Sequence, residues 1–198
     1  MNIKFLTLED LPEIERIFYA NISVEETRNS YSINNNRDAS LIPALFDSMV
    51  RWYLNPNDNQ HIALGVEENN KLLVYIGIRF NLPGKYSNGW NISWIKGDPE
   101  VNLIKTGTLK LLWNFMIPYI ESLGKTRWYI IATSERQGDW DAFSRRITPD
   151  IDSRYLWRVL HEIPPGEKPP EDWMFAAMGR TVKENETWIV KEGTLKNE

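Results

Sequence analysis

Residues 61–80 read HIALGVEENNKLLVYIGIRF, residues 88–100 read NGWNISWIKGDPE, and residues 127–133 read RWYIIAT. A long apolar run lies between the last two and closes on Ser122-Leu123-Gly124-Lys125-Thr126. Ile62, Leu64 and Val66 alternate as in a half-buried strand, and Glu68-Asn69-Asn70 reads as a turn. Residues 72–80 are nearly continuous apolar sequence, the texture of a central strand. Pro83-Gly84 and Asn88-Gly89 mark the next connection. Trp90, Ile92, Trp94 and Lys96 then share one face of a third strand, with Asn91, Ser93 and Ile95 on the other. Two antiparallel hairpin links in succession are the simplest reading. The apolar run, starting at Asn102 or Thr106, reads as a helix with its densest stripe at Leu109, Leu112, Met116, Ile120 and Leu123. It is apolar almost all round, which predicts burial on more than one side. Pro118 should kink it, and Gly124 should end it. Strand, helix and strand at this spacing predict a right-handed crossover with the flanking strands parallel.

Outward from this block, residues 2–6 are strand-like. Asp10-Leu11-Pro12-Glu13 reads as a helix start, with Asp10 as the cap, Glu13 at the capping-box position and Pro12 in the first turn. Leu11, Ile14, Ile17 and Phe18 form its apolar stripe. Residues 23–40 are polar around Asn34-Asn35-Asn36 and read as an exposed loop. Leu41, Leu45, Met49 and Trp52 predict a second amphipathic helix that stops before Asn55-Pro56. On the other side, residues 139–147 read as a helix and 155–163 as a strand. Pro164, Pro165, Gly166, Pro169 and Pro170 make a stiff loop. Residues 171–178 read as a short helix, and 181–183 with 187–191 as a hairpin turning at Glu184-Asn185-Glu186. No internal repeat and no second domain is visible.

Bulk properties narrow the function. The chain has 198 residues, 42% hydrophobic and 25% charged, enough for one domain with a full core. A net charge of −4 disfavours general nucleic-acid binding, which needs a basic face. With no cysteine, disulfides, thiolate catalysis and cysteine metal sites are excluded. His61 and His161 are the only histidines and lie far apart in sequence, so no metal site is assigned. No signal-peptide pattern is visible, and the most apolar segment, 109–123, is too short to span a bilayer. A soluble, cytoplasmic protein is expected. Of the nine tryptophans, most are expected in the core.

With these elements in place, the chain resembles the GNAT superfamily of N-acyltransferases. IKFLTLEDLPEIERIF is similar to that family's first strand and helix, and HIALGVEENNKLLVYIGIRF to its second and third strands. WIKGDPEVNLIKTGTLKLL resembles its fourth strand and cofactor loop, and SLGKTRWYIIAT the end of its third helix and its fifth strand. WMFAAMGR followed by a hairpin resembles its fourth helix and last strands, with Ala176-Ala177-Met178-Gly179 at the helix-to-strand step. The resemblance implies an α/β fold, a mixed, twisted sheet flanked by helices on both faces. It implies a single acyltransferase-like domain over 1–198, with 134–170 as an insertion.

It also implies acetyl-CoA or another acyl-CoA as donor and a small-molecule or peptide primary amine as acceptor. Backbone N–H groups at the start of the long helix would hold the diphosphate, where helix dipole and close backbone approach favour an anion. The family's last loop glycine falls on Gly107. Asn102 stands where the family has arginine or glutamine, and Leu103 and Lys105 fill its other flexible positions. Lys105, Thr106, Gly107, Thr108 and Lys110 are therefore the implied phosphate site. The same residues also read as an ordinary helix start capped by threonine. The implied oxyanion donor lies in the strand backbone near Ile95 and Lys96. Glu100 and His161 are candidate bases, with Asp98 resembling Glu100. The family's helical tyrosine has no counterpart in 172–178, so Tyr155 or Ser134 would have to serve the leaving thiolate. The competing reading is an inactive binding protein on the same scaffold, of viral origin or otherwise. Exposed tryptophans among Trp140, Trp157 and Trp173 would then suit a partner or a homodimer.

Overall fold

The computed structural model describes residues 1–21, 51–80, 82, 84–133, 153–168, 182 and 184–196. Their strands are β1 (Asn2–Phe5), β2 (His61–Glu68), β3 (Lys71–Phe80), β4 (Gly89–Gly97), β5 (Arg127–Thr133), β6 (Tyr155–Ile163) and β7 (Trp188–Leu195). The helices are α1 (Leu11–Ala20) and α2 (Thr108–Ser122). The strands form one seven-stranded mixed sheet in the order β1-β2-β3-β4-β5-β7-β6. β4 and β5 run parallel, as their crossover through α2 demands, while β1–β2, β2–β3, β5–β7 and β6–β7 are antiparallel. The fold is therefore mixed α/β. The chain divides into two compact units, 1–79 with 92–112 and 80–91 with 113–198.

In the first unit, β2 and β3 are joined by Asn69 and Asn70, both left-handed at φ 52° and 62°. Asparagine tolerates that region better than most residues, and two such residues in a row make the tight turn that suits twisted strands. The core gathers Leu6, Ile14, Ile17, Phe18, Leu54, Ala63, Leu72 and Tyr75, with Leu11, Tyr53 and Trp94 packed against it. The α1 stripe read from sequence is thus buried at Ile14, Ile17 and Phe18. Asp10 stands at the N-cap position expected of it. Thr7 caps a 3-10 turn at Leu8–Asp10, and the Asp10 carboxylate accepts from Thr7 N–H at 2.9 Å. Asp10 makes no side-chain bond to α1, and Glu13 is used elsewhere. The Asp10 carboxylate is instead the N3 partner of Thr7 in the capping box of the preceding 3-10 turn.

In the second unit, Trp90 stacks on Trp128 with centroids 4.7 Å apart, and Trp128 also meets Trp157 and Tyr155 edge-on. A second cluster joins Leu82, Tyr86, Tyr129, Ile163, Val182 and Val190. Residues 155–163, inside the stretch expected as an insertion, form the strand β6 that pairs with β7 from Tyr155–Leu195 to Ile163–Trp188. β7 thereby lies between β5 and β6, and residues 188–191 pair with those strands. Val182 exchanges backbone hydrogen bonds with Gly166 and Glu167, so the hairpin expected for 181–183 with 187–191 does not form at Val182.

α2 differs from its sequence reading in one respect. Leu109, Leu112, Trp113, Met116, Ile117 and Ile120 are buried, but Phe115 and Leu123 are exposed, so one face is buried rather than several. Phe115 and Tyr119, one turn apart, stack on each other at 6.0 Å. The helix ends as expected at Gly124 (φ 74°), where Gly124 N–H donates to Glu121 O and Lys125 N–H to Ile120 O. Trp90, Trp113 and Trp128 are core residues, whereas Trp52, placed on an apolar stripe by its spacing, is exposed. The helices expected at 139–147 and 171–178, most of the one over 41–52, and Trp140 and Trp173 lie outside the described residues.

Candidate functional site

The end of β4 is fixed in place by charge. Asp98 follows the strand directly and is buried. Its N–H donates to Leu73 O at 2.8 Å, which continues the β3 ladder by one residue. Its Oδ2 takes Arg16 Nη1 at 2.9 Å and Lys71 Nζ at 2.9 Å, and its Oδ1 accepts from Glu100 N–H at 3.0 Å. Arg16 reaches on to Leu72 O at 2.8 Å and grips Glu13, whose carboxylate accepts from Leu72 N–H at 3.1 Å. Asn21, closing α1, donates from one amide nitrogen to Ile17 O at 2.8 Å and Gly97 O at 2.7 Å. Burial pushes the Asp98 carboxyl upward, but the bonds from Lys71, Glu100 N–H and Arg16 outweigh it and hold it below the ordinary aspartate range. The hydrogen bonds from Arg16 do the same for Glu13. A carboxylate stabilised this way holds geometry well and takes up a proton poorly, so Asp98 is unsuited to be a base.

From this anchor the chain runs through 99–107 into α2. Leu103 turns back onto Gly97, where a methyl group would sit 2.2 Å from Leu103 Cδ1. Asn102 organises the loop: its Oδ1 accepts from Lys105 N–H at 3.0 Å and its backbone oxygen from Thr106 N–H at 3.0 Å. Gly107 N–H donates to Ile104 O and Leu109 N–H to Leu103 O. Gly107 is left-handed at φ 76° with open space where a side chain would start. The loop amides are thus largely spent on the loop itself. Among the described residues, Thr108 N–H and Lys110 N–H have no such partner, as expected for the first turn of a helix. The buried Thr108 hydroxyl bonds with that of Thr106 at 2.7 Å and donates to Met1 Sδ at 3.3 Å.

No family model and no curated protein matches the sequence. Solved structures do match. A GCN5-related N-acetyltransferase from Kribbella flavida superposes with a TM-score of 0.60 at 14% identity, over 98% of this chain and 97% of that one. An N-acetyltransferase from Staphylococcus aureus gives 0.58 at 15% identity, over 98% of each chain. A ribosomal-protein-alanine N-acetyltransferase from Brucella melitensis gives 0.57 at 11% identity, over 98% of this chain and all of that one. The chain has the GNAT fold.

Within the GNAT fold, Lys105, Thr106, Gly107, Thr108 and Lys110 come together at the start of α2, and Ile95 and Lys96 sit half-buried near the end of β4. The β4–β5 ladder registers Gly89, Trp90 and Asn91 with Arg127, Trp128 and Tyr129, the first three residues of each strand. Glu100 is 81% exposed at its side chain and 3.5 Å from Lys71 Nζ. His161 and Tyr155 lie on β6. His161 stands opposite Val190, at the register shift after Val159. Tyr155 is buried and donates to Glu121 at 3.1 Å, with Arg154 also on that carboxylate. Burial, then the Glu121 charge, raises the Tyr155 hydroxyl well above the usual tyrosine range, so it stays protonated. Ser134 lies outside the described residues.

Two polar groupings were not foreseen. The first is the Glu13–Arg16–Lys71 set around Asp98. Arg16 lies 82 positions from Asp98 and 56 from Leu72, whose carbonyl it also reaches, and no sequence spacing announces these meetings. The second joins β5, β6 and β7. Buried Glu192 accepts from Tyr129 Oη at 2.7 Å and from Arg158 at 2.7 and 2.9 Å. Burial and Glu192 push the Tyr129 hydroxyl up to about 12. Among the described residues no helix is long and apolar enough to cross a membrane.

Proposed function

We propose that the chain is an N-acyltransferase that takes an acyl group from acyl-CoA and passes it to a primary amine. The observation that carries this reading is the start of α2. A left-handed Gly107 with open space and Thr108 and Lys110 N–H groups without a backbone partner lie there, with Lys105 and Lys110 in the same short stretch of chain, in a GNAT fold. A diphosphate fits at the helix terminus, where the dipole and two free donors favour it. It does not fit the loop as the family uses it, because the Lys105, Thr106 and Gly107 N–H groups are already bonded. Lys105 and Lys110 offer the charge that the missing glycines leave unsupplied.

The backbone around Ile95 and Lys96, held from behind by Asp98 and Asn21, is the proposed donor to the developing oxyanion. Glu100 and His161 remain the proposed proton acceptors for the attacking amine. Tyr155 stays the proposed donor to the leaving thiolate, a weak acid there because burial and Glu121 hold its proton firmly. Ser134 stays proposed beside it. A second reading, a binding protein without catalysis, is favoured by one observation, the self-satisfied loop amides.

A melting experiment separates the two. Acetyl-CoA at about one hundred times its Kd should stabilise the protein by about 2.7 kcal/mol, and an unchanged melting temperature at millimolar acetyl-CoA sinks the enzymatic reading. Gly107→Val should cost about 1–2 kcal/mol of stability, from backbone strain alone because the site is open. The same change should weaken acetyl-CoA binding by about tenfold or more, read by calorimetric titration.

A further inference from the structure

Arg79 carries a buried Nε with no hydrogen-bond partner. Among the described residues no carboxylate pairs with it. A guanidinium left in this state is costly in a folded protein and calls for an explanation. Its surroundings supply one. Arg79 stands directly opposite His61 in the β2–β3 ladder. His61 Nδ1 is 3.1 Å from Asp58 Oδ1, and that oxygen already accepts from Gln60 N–H at 2.6 Å and His61 N–H at 2.9 Å. Asp58 is therefore committed to its own turn. The His61 ring meets Tyr53 at 4.8 Å, and Tyr53 meets Trp94 at 5.1 Å. Tyr53 Oη donates to Ser93 Oγ at 2.6 Å. Trp94 lies over Gly77, two residues before Arg79 on the same face of β3, and is next to Ile95 on β4.

We infer that Arg79 is the anchor for a carboxylate on the acceptor, so that the amine substrate is a small amino-carboxylate seated against Tyr53 and Trp94. The Nε–H edge of a guanidinium presents two parallel donors matched to a carboxylate. A single cation beside Asp58 and aromatic walls suits a monoanion better than a phosphate dianion. His61 is no rival cation. Burial holds its pKa below the usual histidine value, and the charge of Arg79 adds to this against the pull of Asp58. Calling the ligand an acceptor rests on the acyltransferase reading, whereas carboxylate binding at Arg79 does not.

The test uses the full chain with its arginine Nε–H resonances observed by NMR, the Arg79 signal being assigned by its loss in Arg79→Lys. Titration with sodium benzoate should move that signal saturably, and benzamide should bind at least tenfold more weakly. In Arg79→Gln the preference should vanish while the acetyl-CoA melting shift is kept. An Arg79 signal that ignores benzoate, or answers benzamide equally, overturns the inference, and the wild-type titration decides this even if the variant fails to fold. Benzoate bound at Arg79 without any acetyl-CoA stabilisation would uphold the anion site and remove the acyltransferase reading.

Discussion

Asp98→Ala should lower the unfolding free energy by about 3 kcal/mol at pH 7. The Asp98 side chain is 1% exposed and answers two cations and one backbone N–H. Removing it leaves Arg16 and Lys71 facing each other without their shared counter-charge. Arg16 and Lys71 are themselves partly open to water, which keeps the loss toward the lower end of what a broken buried ion cluster costs. Asp98→Asn keeps the shape and the bond from Glu100 N–H, and should lose less. The pH dependence carries the sign. The folded Asp98 carboxyl is held below its ordinary value, so its stabilisation is complete above the unfolded pKa of about 3.9 and is lost as pH falls through the folded value. Urea unfolding should therefore separate wild type from Asp98→Ala fully at pH 7 and much less at pH 2. An equal gap at both pH values would mean that the charge of Asp98 contributes nothing and that only its packing matters.

Gly77→Val should be as damaging, by a different cause. A Cβ at Gly77 would lie 2.2 Å from Trp94 Cε2 and 2.3 Å from Cζ2, with the indole wedged between Tyr53 and Tyr75 at 5.1 Å from each. The ring cannot rotate away cheaply because both neighbours belong to the packed first unit. Overpacking in such a place costs about 3 kcal/mol. Trp94→Leu loses indole packing by itself, yet it removes the obstacle, so the two changes should couple by about 1–2 kcal/mol in a double-mutant cycle. Strict additivity would show that the glycine is tolerated there rather than required.

Much of the fold was legible because it is written in local pattern. Alternation at 62–66, the apolar run at 72–80 and the β-branched stretch at 127–133 each name a strand without help from distant residues. Asn69-Asn70 and Gly124 punctuate them, since each sits at the left-handed backbone that its turn or helix end requires. The β6 strand forms over the residues read as a strand, 155–163, although the local pattern there is weak. Its exposed Leu156 and Val159 break the alternation of a half-buried strand. The candidate site was legible only in outline. Gly107 and the following helix start could be found by spacing, but the role of Asn102 could not. Its amide oxygen and carbonyl consume the N–H groups of Lys105 and Thr106, a local bond whose outcome depends on the loop's path. Arg16, Lys71 and Asp98 come from three separate segments and meet only once β3, β4 and α1 are assembled. Arg79 was hidden for the same reason, since a strand arginine is ordinary until its missing partner is noticed.

The reading of function stands on where an acyl donor's diphosphate rests. A crystal structure of the protein grown with coenzyme A addresses that directly. Diphosphate oxygens are expected within about 3.2 Å of the Thr108 or Lys110 backbone nitrogens, with Lys105 or Lys110 alongside. Density for coenzyme A elsewhere on the chain, or a start of α2 left bare at saturating coenzyme A, would contradict it.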